Sequence, residues 1–477
     1  MTQDLWKYSA LELLKLYKTK KASPLEASKA IIQRIKTINP KINAFSEMNE
    51  EKIIHQAKLS SKRWQKKQLK GPLDGICISI KDLIITKDYP TYRGSLTSSL
   101  PNIFNEDAPI VKKIKESGGI ILGKTTTPEF GHKGTTQSKK YGITVNPWDF
   151  RANAGGSSGG SCASVASGMG PLSVGTDGGG SIRIPASFCG VFGHKPSFGR
   201  IPAYPISPFG TVANIGPISR TVKDSALLMN TIAKPDIKDW HSLPLEKIDY
   251  LNNKFEDIRS LKIGYVPFWG MEKHFENLHL DIEVNKKINE AIKFLKKDGL
   301  NIKTIKNLNW PNNPTSIFKT MWYLGAANLA RKIEKKEYNK IDKNFLKFIE
   351  LGKKRSVFEL MEAEAKRAEN GSYISDIFKK FDVLVGPTLP VLPFDKNKDV
   401  PRGWEQKDLF CWTPFTYPFN LTKNPSSSIN CNFTESNLPV GMQLVGPLYK
   451  DNICFILSLH LEKAFDLVKK WPSNSIN

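Results

Sequence analysis

Short β-branched runs alternate with amphipathic stretches along this chain, the pattern of an α/β protein whose strands are covered on both faces. Near the N-terminus, "PLEASKAIIQRIKTI" (24–38) carries apolar residues at helical spacing. Ser9 with Glu12, and Ser23 with Glu26, fit the capping box, and Pro24 occupies a first helical position where its missing N–H does no harm. "NPKINAF" is expected to end that helix. "GICISIKD" (75–82) reads as a buried strand delivering Lys81 at its end, and "DAPIVKKIKESGGIILGKT" (107–125) as helix, Gly-Gly stop and strand. "SCASVASGM" (161–169) reads as a small-residue helix and "PLSVGTD" (171–177) as the strand after it. Further strands are expected in "LKIGYVP" (261–267), "FDVLVGPTLPVLPF" (381–394) and "NLPVGMQLVGP" (437–447). Helices are expected in "NKKINEAIKFLKKDG", "AANLARKIEKKEYNK", "FELMEAEAKRAEN" and "NICFILSLHLEKAF".

Composition narrows the class. The 477 residues can bury a large core, and no apolar run approaches the roughly 20 residues a membrane span needs. The six cysteines (Cys77, Cys162, Cys189, Cys411, Cys431, Cys454) form no CxxC pair, which suits reduced thiols in a cytoplasmic protein. No HExxH motif or paired Cys/His cluster is present, so a metal-dependent mechanism has no support in the sequence. The formal charge of +24 is carried by lysine spread along the whole chain, without an aromatic-interleaved basic cluster. That reads as a solvated surface rather than a nucleic-acid site.

Candidate chemistry gathers between residues 153 and 197, where Gly, Ser and Ala alternate with Val, Ile, Phe and Cys in an ordered pattern of close packing. "GTDGGGSIR" (175–183) bares the backbone around Ser181. Glycine amides can crowd an oxyanion as a backbone nest does, so Gly178, Gly179, Gly180 and Ser181 are candidate donors beside a serine nucleophile. Such a nucleophile needs a base. His132 and His194 carry no Asp partner at readable spacing and read as packing residues. Lys81 is the other candidate, although a lysine ending an apolar strand also commonly snorkels to solvent. To act at pH 7 its pKa must fall by roughly 3 units, which burial can supply.

The run "GGSSGGSCASVASGMGPLSVGTDGGGSIRIPASFCGVFGHKP" (155–196) closely resembles the signature of the amidase signature family. "SIKD", "YGITVNPWD", "GPISRTVKD", "DVLVGPT" and "LPVGMQLVGP" extend the resemblance over essentially the whole chain. It implies a large mixed β-sheet between layers of α-helices, in one unit over residues 1–477. Within that unit, N-terminal helices run to about 70, the signature core over 71–225, a variable helical region over 226–380 and core strands with a closing helix over 381–477. It also implies a Ser, cis-Ser, Lys triad: Ser181 as nucleophile, Ser157 as proton relay after a cis bond from Gly156, and Lys81 as base. Ser158 looks the same as Ser157 in sequence, and only the family pattern selects Ser157. Thr176, Asp177 and Arg183 fall at supporting positions, the last two as a buried bridge.

The implied reaction is amide hydrolysis through a seryl acyl-enzyme, with a small amide as substrate and no metal, cofactor or membrane. A homodimer is compatible with the sequence. Two alternatives stand beside a free-standing amidase. One is the A subunit of a tRNA-dependent amidotransferase, whose "GSDTGGSIRQP" differs from "GTDGGGSIRIP" here. The other is a non-catalytic scaffold, which the presence of all three triad residues disfavours. Substrate-selecting residues are expected in "WYLGAANLAR" (322–331) and "LFCWTPFTYPFN" (409–420).

Overall fold

The computed structural model describes residues 2–252, 257–276, 278–404 and 408–473, so both ends of the unit expected over 1–477 lie outside the described residues. Both capping boxes form reciprocally and start the helices Ala10–Lys18 and Pro24–Ile42. The second helix departs from expectation by running through Pro40 to Ile42. Pro40 sits in the last turn, and Asn39 Oδ1 accepts the amides of Ala44 and Phe45, each at 2.8 Å, which anchors the exit one turn later.

The strands, in chain order, are β1 (Phe45–Met48), β2 (Cys77–Lys81), β3 (Ile120–Thr125), β4 (Gln137–Ser138), β5 (Gly142–Ile143), β6 (Leu172–Asp177) and β7 (Phe192–Lys195). They continue with β8 (Asn214–Ser219), β9 (Ile263–Tyr265), β10 (Ile302–Thr304), β11 (Val383–Pro387), β12 (Ser426–Phe433) and β13 (Pro439–Val445). Eleven of them form one sheet in the order β1-β3-β2-β6-β8-β7-β12-β13-β11-β9-β10, and β4 pairs with β5 apart from it. The sheet is mixed: β2 runs parallel to β3 and β6, whereas β6, β8, β7 and β12 alternate in direction.

Strand periodicity divides the core between the two faces. Ile78, Ile80, Ile121 and Val174 pack with the helices Pro109–Glu116, Val222–Ile232 and Asp451–Phe465. Cys77, Ile120, Leu122 and Ile218 pack with Pro24–Ile42, Gly159–Ala166 and Arg183–Cys189 on the other face. Burial on both faces is why β2 and β3 read as continuous apolar runs.

A third, aromatic cluster is built on the helices Pro314–Ala330, Lys343–Lys353 and Val357–Ile377. Here a second expectation fails, because the helical pattern of 326–340 breaks at Ala330 and resumes only as the 3₁₀ turn Lys335–Lys340. The Glu337 carboxylate accepts the amides of Ser98 and Ser99, each at 2.9 Å, and so ties this stretch to a distant loop. All six cysteines are buried. Among the described residues, no helix is long and apolar enough to cross a membrane, and no cluster of His, Cys, Asp and Glu is placed to hold a metal ion.

Candidate active site

Lys81 ends β2, and Thr176 and Asp177 end its parallel neighbour β6. The helix Gly159–Ala166 starts beside these strand ends and brings Ser157 and Ser158 to them. Lys81 is fully buried, and its Nζ lies 2.7 Å from Ser157 Oγ, 2.9 Å from Ser158 Oγ and 2.8 Å from Thr176 Oγ1. The Gly156–Ser157 peptide bond is cis. Gly156 itself admits no side chain, since a Cβ there would meet the Thr135 carbonyl carbon at 2.6 Å.

Burial pulls the Lys81 pKa well below its ordinary value, against the opposing pull of Asp177. A neutral amine has two N–H donors and one lone pair, which matches three surrounding hydroxyls. The Ser158 hydroxyl donates to the Thr176 carbonyl at 3.1 Å, so toward Lys81 it can only accept. Ser157, which borders the cavity described below, is free to donate its proton to the lysine lone pair. Geometry thus separates two serines that sequence could not.

The glycine loop is held by Asp177. Its Oδ1 accepts the Gly180 amide at 2.7 Å, and its Oδ2 accepts the Ile182 amide at 3.2 Å. Arg183 pairs with both oxygens at 3.0 Å, both side chains being fully buried. Although burial opposes it, the guanidinium holds the Asp177 carboxyl well below the usual carboxylate range. Arg183 also donates to the Thr416 carbonyl (2.9 Å), Gln443 (2.8 Å) and Asn420 (2.6 Å). Gly180 corrects one expectation: its amide is committed to Asp177 and is not available to an oxyanion. The amides of Gly178, Gly179 and Ser181 donate to no acceptor among the described residues and remain as candidate donors. Ser181 keeps 8% exposure, and its carbonyl accepts the Ser158 amide at 3.0 Å, which ties the two serine-bearing loops together.

Ser157, Thr176, Gly178 and Ser181 border one cavity of about 200 Å³. Its walls are mainly apolar, including Phe130, Ile201, Tyr204, Phe209, Ile215 and Trp322. Trp322 stacks on Phe209 at 3.9 Å between centroids and donates its indole N–H to the His132 carbonyl at 3.2 Å. The same ring fills the space a side chain on Gly178 would take, because a Cβ there would lie 2.9 Å from it.

Of the two stretches expected to select substrate, 322–331 contributes Trp322 and Leu329. The stretch 409–420 does not reach the cavity: Trp412, Phe415, Tyr417 and Phe419 are fully buried behind it, with Tyr417 stacked on Phe318 at 4.8 Å. Sequence reasoning missed the segment 198–215, which supplies much of the wall. Its signal was apolar residues set between prolines and glycines in "FGRIPAYPISPFGTVANI", where a plain surface loop would be polar. The histidines do have aspartate partners, contributed from far along the chain. His132 Nε2 lies 3.5 Å from Asp342, and His194 Nε2 lies 3.4 Å from Asp451. Neither histidine borders the cavity.

Comparison with known proteins places this arrangement. The Amidase family model matches residues 26–455. An acylamidase of Rhodococcus erythropolis is 32% identical over 480 residues, covering 99% of both chains. The A subunit of the glutamyl-tRNA(Gln) amidotransferase of a Sulfurihydrogenibium strain is 32% identical over 501 residues, covering 98% of this chain and 99% of that protein. Among solved structures, a bacterial aryl acylamidase of the amidase signature family superposes with a TM-score of 0.87 at 28% identity, covering 98% of each chain. The corresponding amidotransferase chain from Thermotoga maritima does so with a TM-score of 0.78 at 28% identity, over 96% of this chain and 95% of that one.

Proposed function

Because the chain belongs to the Amidase family, whose members include acylamidases, it is a hydrolase of amide C–N bonds, and we propose that it is a free-standing amidase using Ser181, Ser157 and Lys81. The observation that carries this reading is the fully buried Lys81, held 2.7 Å from a Ser157 hydroxyl that borders the same cavity as Ser181. In the proposed reaction the Ser181 oxygen attacks the amide carbonyl carbon, its proton passes to Ser157, and the Ser157 proton passes to Lys81. The developing oxyanion is received by the amides of Gly178, Gly179 and Ser181. As the C–N bond breaks, Ser157 protonates the leaving amine and takes a proton back from Lys81. Water then attacks the Ser181 ester by the same route in reverse, releasing the carboxylic acid.

The similarity to the amidotransferase chains supports a second reading, release of ammonia from glutamine for a partner. The cavity favours the first. The apolar part of its wall, Phe130, Ile201, Phe209, Ile215 and Trp322, suits the hydrocarbon chain of a simple amide.

Ammonia or amine release by the purified chain from aliphatic, aromatic and amino-acid amides, with Ser181→Ala as control, tests the proposal. Turnover of a simple amide that disappears in the variant is the expected result. Glutamine turnover appearing only when partner proteins and tRNA are added would overturn it.

A further inference from the structure

One wall of the cavity breaks the apolar pattern. Arg93 borders it together with Phe130, and these two residues hold left-handed backbone with φ of 60° and 52°. The Phe130 amide donates to the Arg93 carbonyl at 2.8 Å, so the two conformations brace each other. Left-handed backbone costs a non-glycine residue about 1 kcal/mol or more and gathers at ligand-holding sites.

The Arg93 side chain is only partly satisfied. Its Nη1 donates to the carbonyls of Pro101 (2.8 Å) and Thr91 (3.3 Å), and the guanidinium lies 5.4 Å from the Phe104 ring centre. Nε and Nη2 have no acceptor, and no carboxylate forms an ion pair with Arg93, among the described residues. Asp82, the carboxylate whose charge it feels, is already engaged by the amides of Tyr92 and Gly94, each at 3.1 Å, and by the Tyr141 hydroxyl at 2.7 Å. A guanidinium with two unpaired nitrogens, on a residue that borders an apolar cavity, has the donor set of a carboxylate clamp.

We propose that Arg93 selects amide substrates that carry a second, anionic carboxylate on their apolar chain, such as monoamides of dicarboxylic acids. This rests on the amidase reading above and specifies its substrate class. Amino-acid amides fit less well. The only acidic residue on the cavity wall among the described residues is Asp239, and its two oxygens are taken by the amides of Ala203 (2.8 Å) and His241 (2.9 Å). A substrate ammonium would have to share that carboxylate with both amides and with the His241 ring, 3.5 Å from Oδ1.

The test compares the monoamide of pentanedioic acid with uncharged pentanamide in wild type and Arg93→Met. The expected result is a loss of kcat/KM on the anionic amide that exceeds the loss on the neutral one by about tenfold or more, mostly in KM. Pentanedioate binding, measured by calorimetry on Ser181→Ala with and without Arg93→Met, should weaken by a similar factor. Equal losses on both amides, preference of the wild type for pentanamide, or pentanedioate binding indifferent to Arg93 would each overturn the proposal. The calorimetry stands whether or not any amide is turned over, and failure of the amidase reading would show separately as hydrolysis that survives Ser181→Ala.

Discussion

Lys81 and Lys124 end or nearly end neighbouring strands, both are fully buried, and burial pulls both below the usual lysine range, Lys124 to about 8. Their surroundings differ in kind. Lys124 donates to the Ile84 carbonyl (2.5 Å) and the Thr91 hydroxyl (2.7 Å), and Asp82 favours its charged form. Lys81 sits among three hydroxyls, of which only that of Ser158 is committed as a donor elsewhere. A buried lysine bonded to a carbonyl and favoured by a nearby carboxylate suits a cationic brace, whereas one bonded to hydroxyls suits the base proposed above. Burial alone does not distinguish them; the hydrogen-bonding capacity of the neighbours does.

Substitution separates the two most sharply. Lys81→Met should lower kcat by ~10⁴-fold or more, measured on whichever amide the wild type cleaves best. It should do so without loss of stability. Lys81 has a lower pKa folded than the ~10.4 of the unfolded chain, so between the two values the unfolded state binds more protons and burial of the ionised lysine is a cost. A melting temperature equal to or above that of the wild type at pH 7 is therefore expected. The Lys124 pKa is lowered too, to about 8, so its burial also carries a cost. Lys124→Met, however, strips the Ile84 carbonyl and the Thr91 hydroxyl of their buried donor and removes one of the positive charges acting on Asp82. A net loss of about 1–3 kcal/mol in urea unfolding is expected, with kcat changed only a few-fold. A stabilised Lys124→Met protein would break the contrast.

The smallest effect is the most specific. Neutral Lys81 is lost as pH falls through its lowered pKa, so kcat/KM should decline on the acid side of the profile. That limb should keep its position in Lys124→Met, because Lys124 is not among the groups that shift Lys81. A limb that moves with Lys124 would mean the two lysines titrate as one system.

Most of this arrangement was legible locally. Capping boxes, the apolar run ending at Lys81 and the glycine loop around Ser181 are short-range patterns, and the strands and helices they announce form where expected. What stayed hidden depends on contacts across the chain. The commitment of the Gly180 amide to Asp177, the separation of Ser157 from Ser158 and the aspartates facing His132 and His194 arise only when distant segments meet. The cavity wall was misplaced for the same reason. An aromatic run such as 409–420 is equally suited to core or pocket, and the packing of Tyr417 against Phe318 decides for core.

Arg183 carries a consequence for the time at which this protein becomes competent. The loop bearing Ser181 is clamped by Asp177 and Arg183, and Arg183 is in turn held by Thr416, Asn420 and Gln443. On the ribosome Ser181 is synthesised long before the residues that fix its loop. The nascent chain therefore carries Ser181 on an unclamped loop until residues 416–443 have been made, and the loop is locked only when those segments emerge and dock.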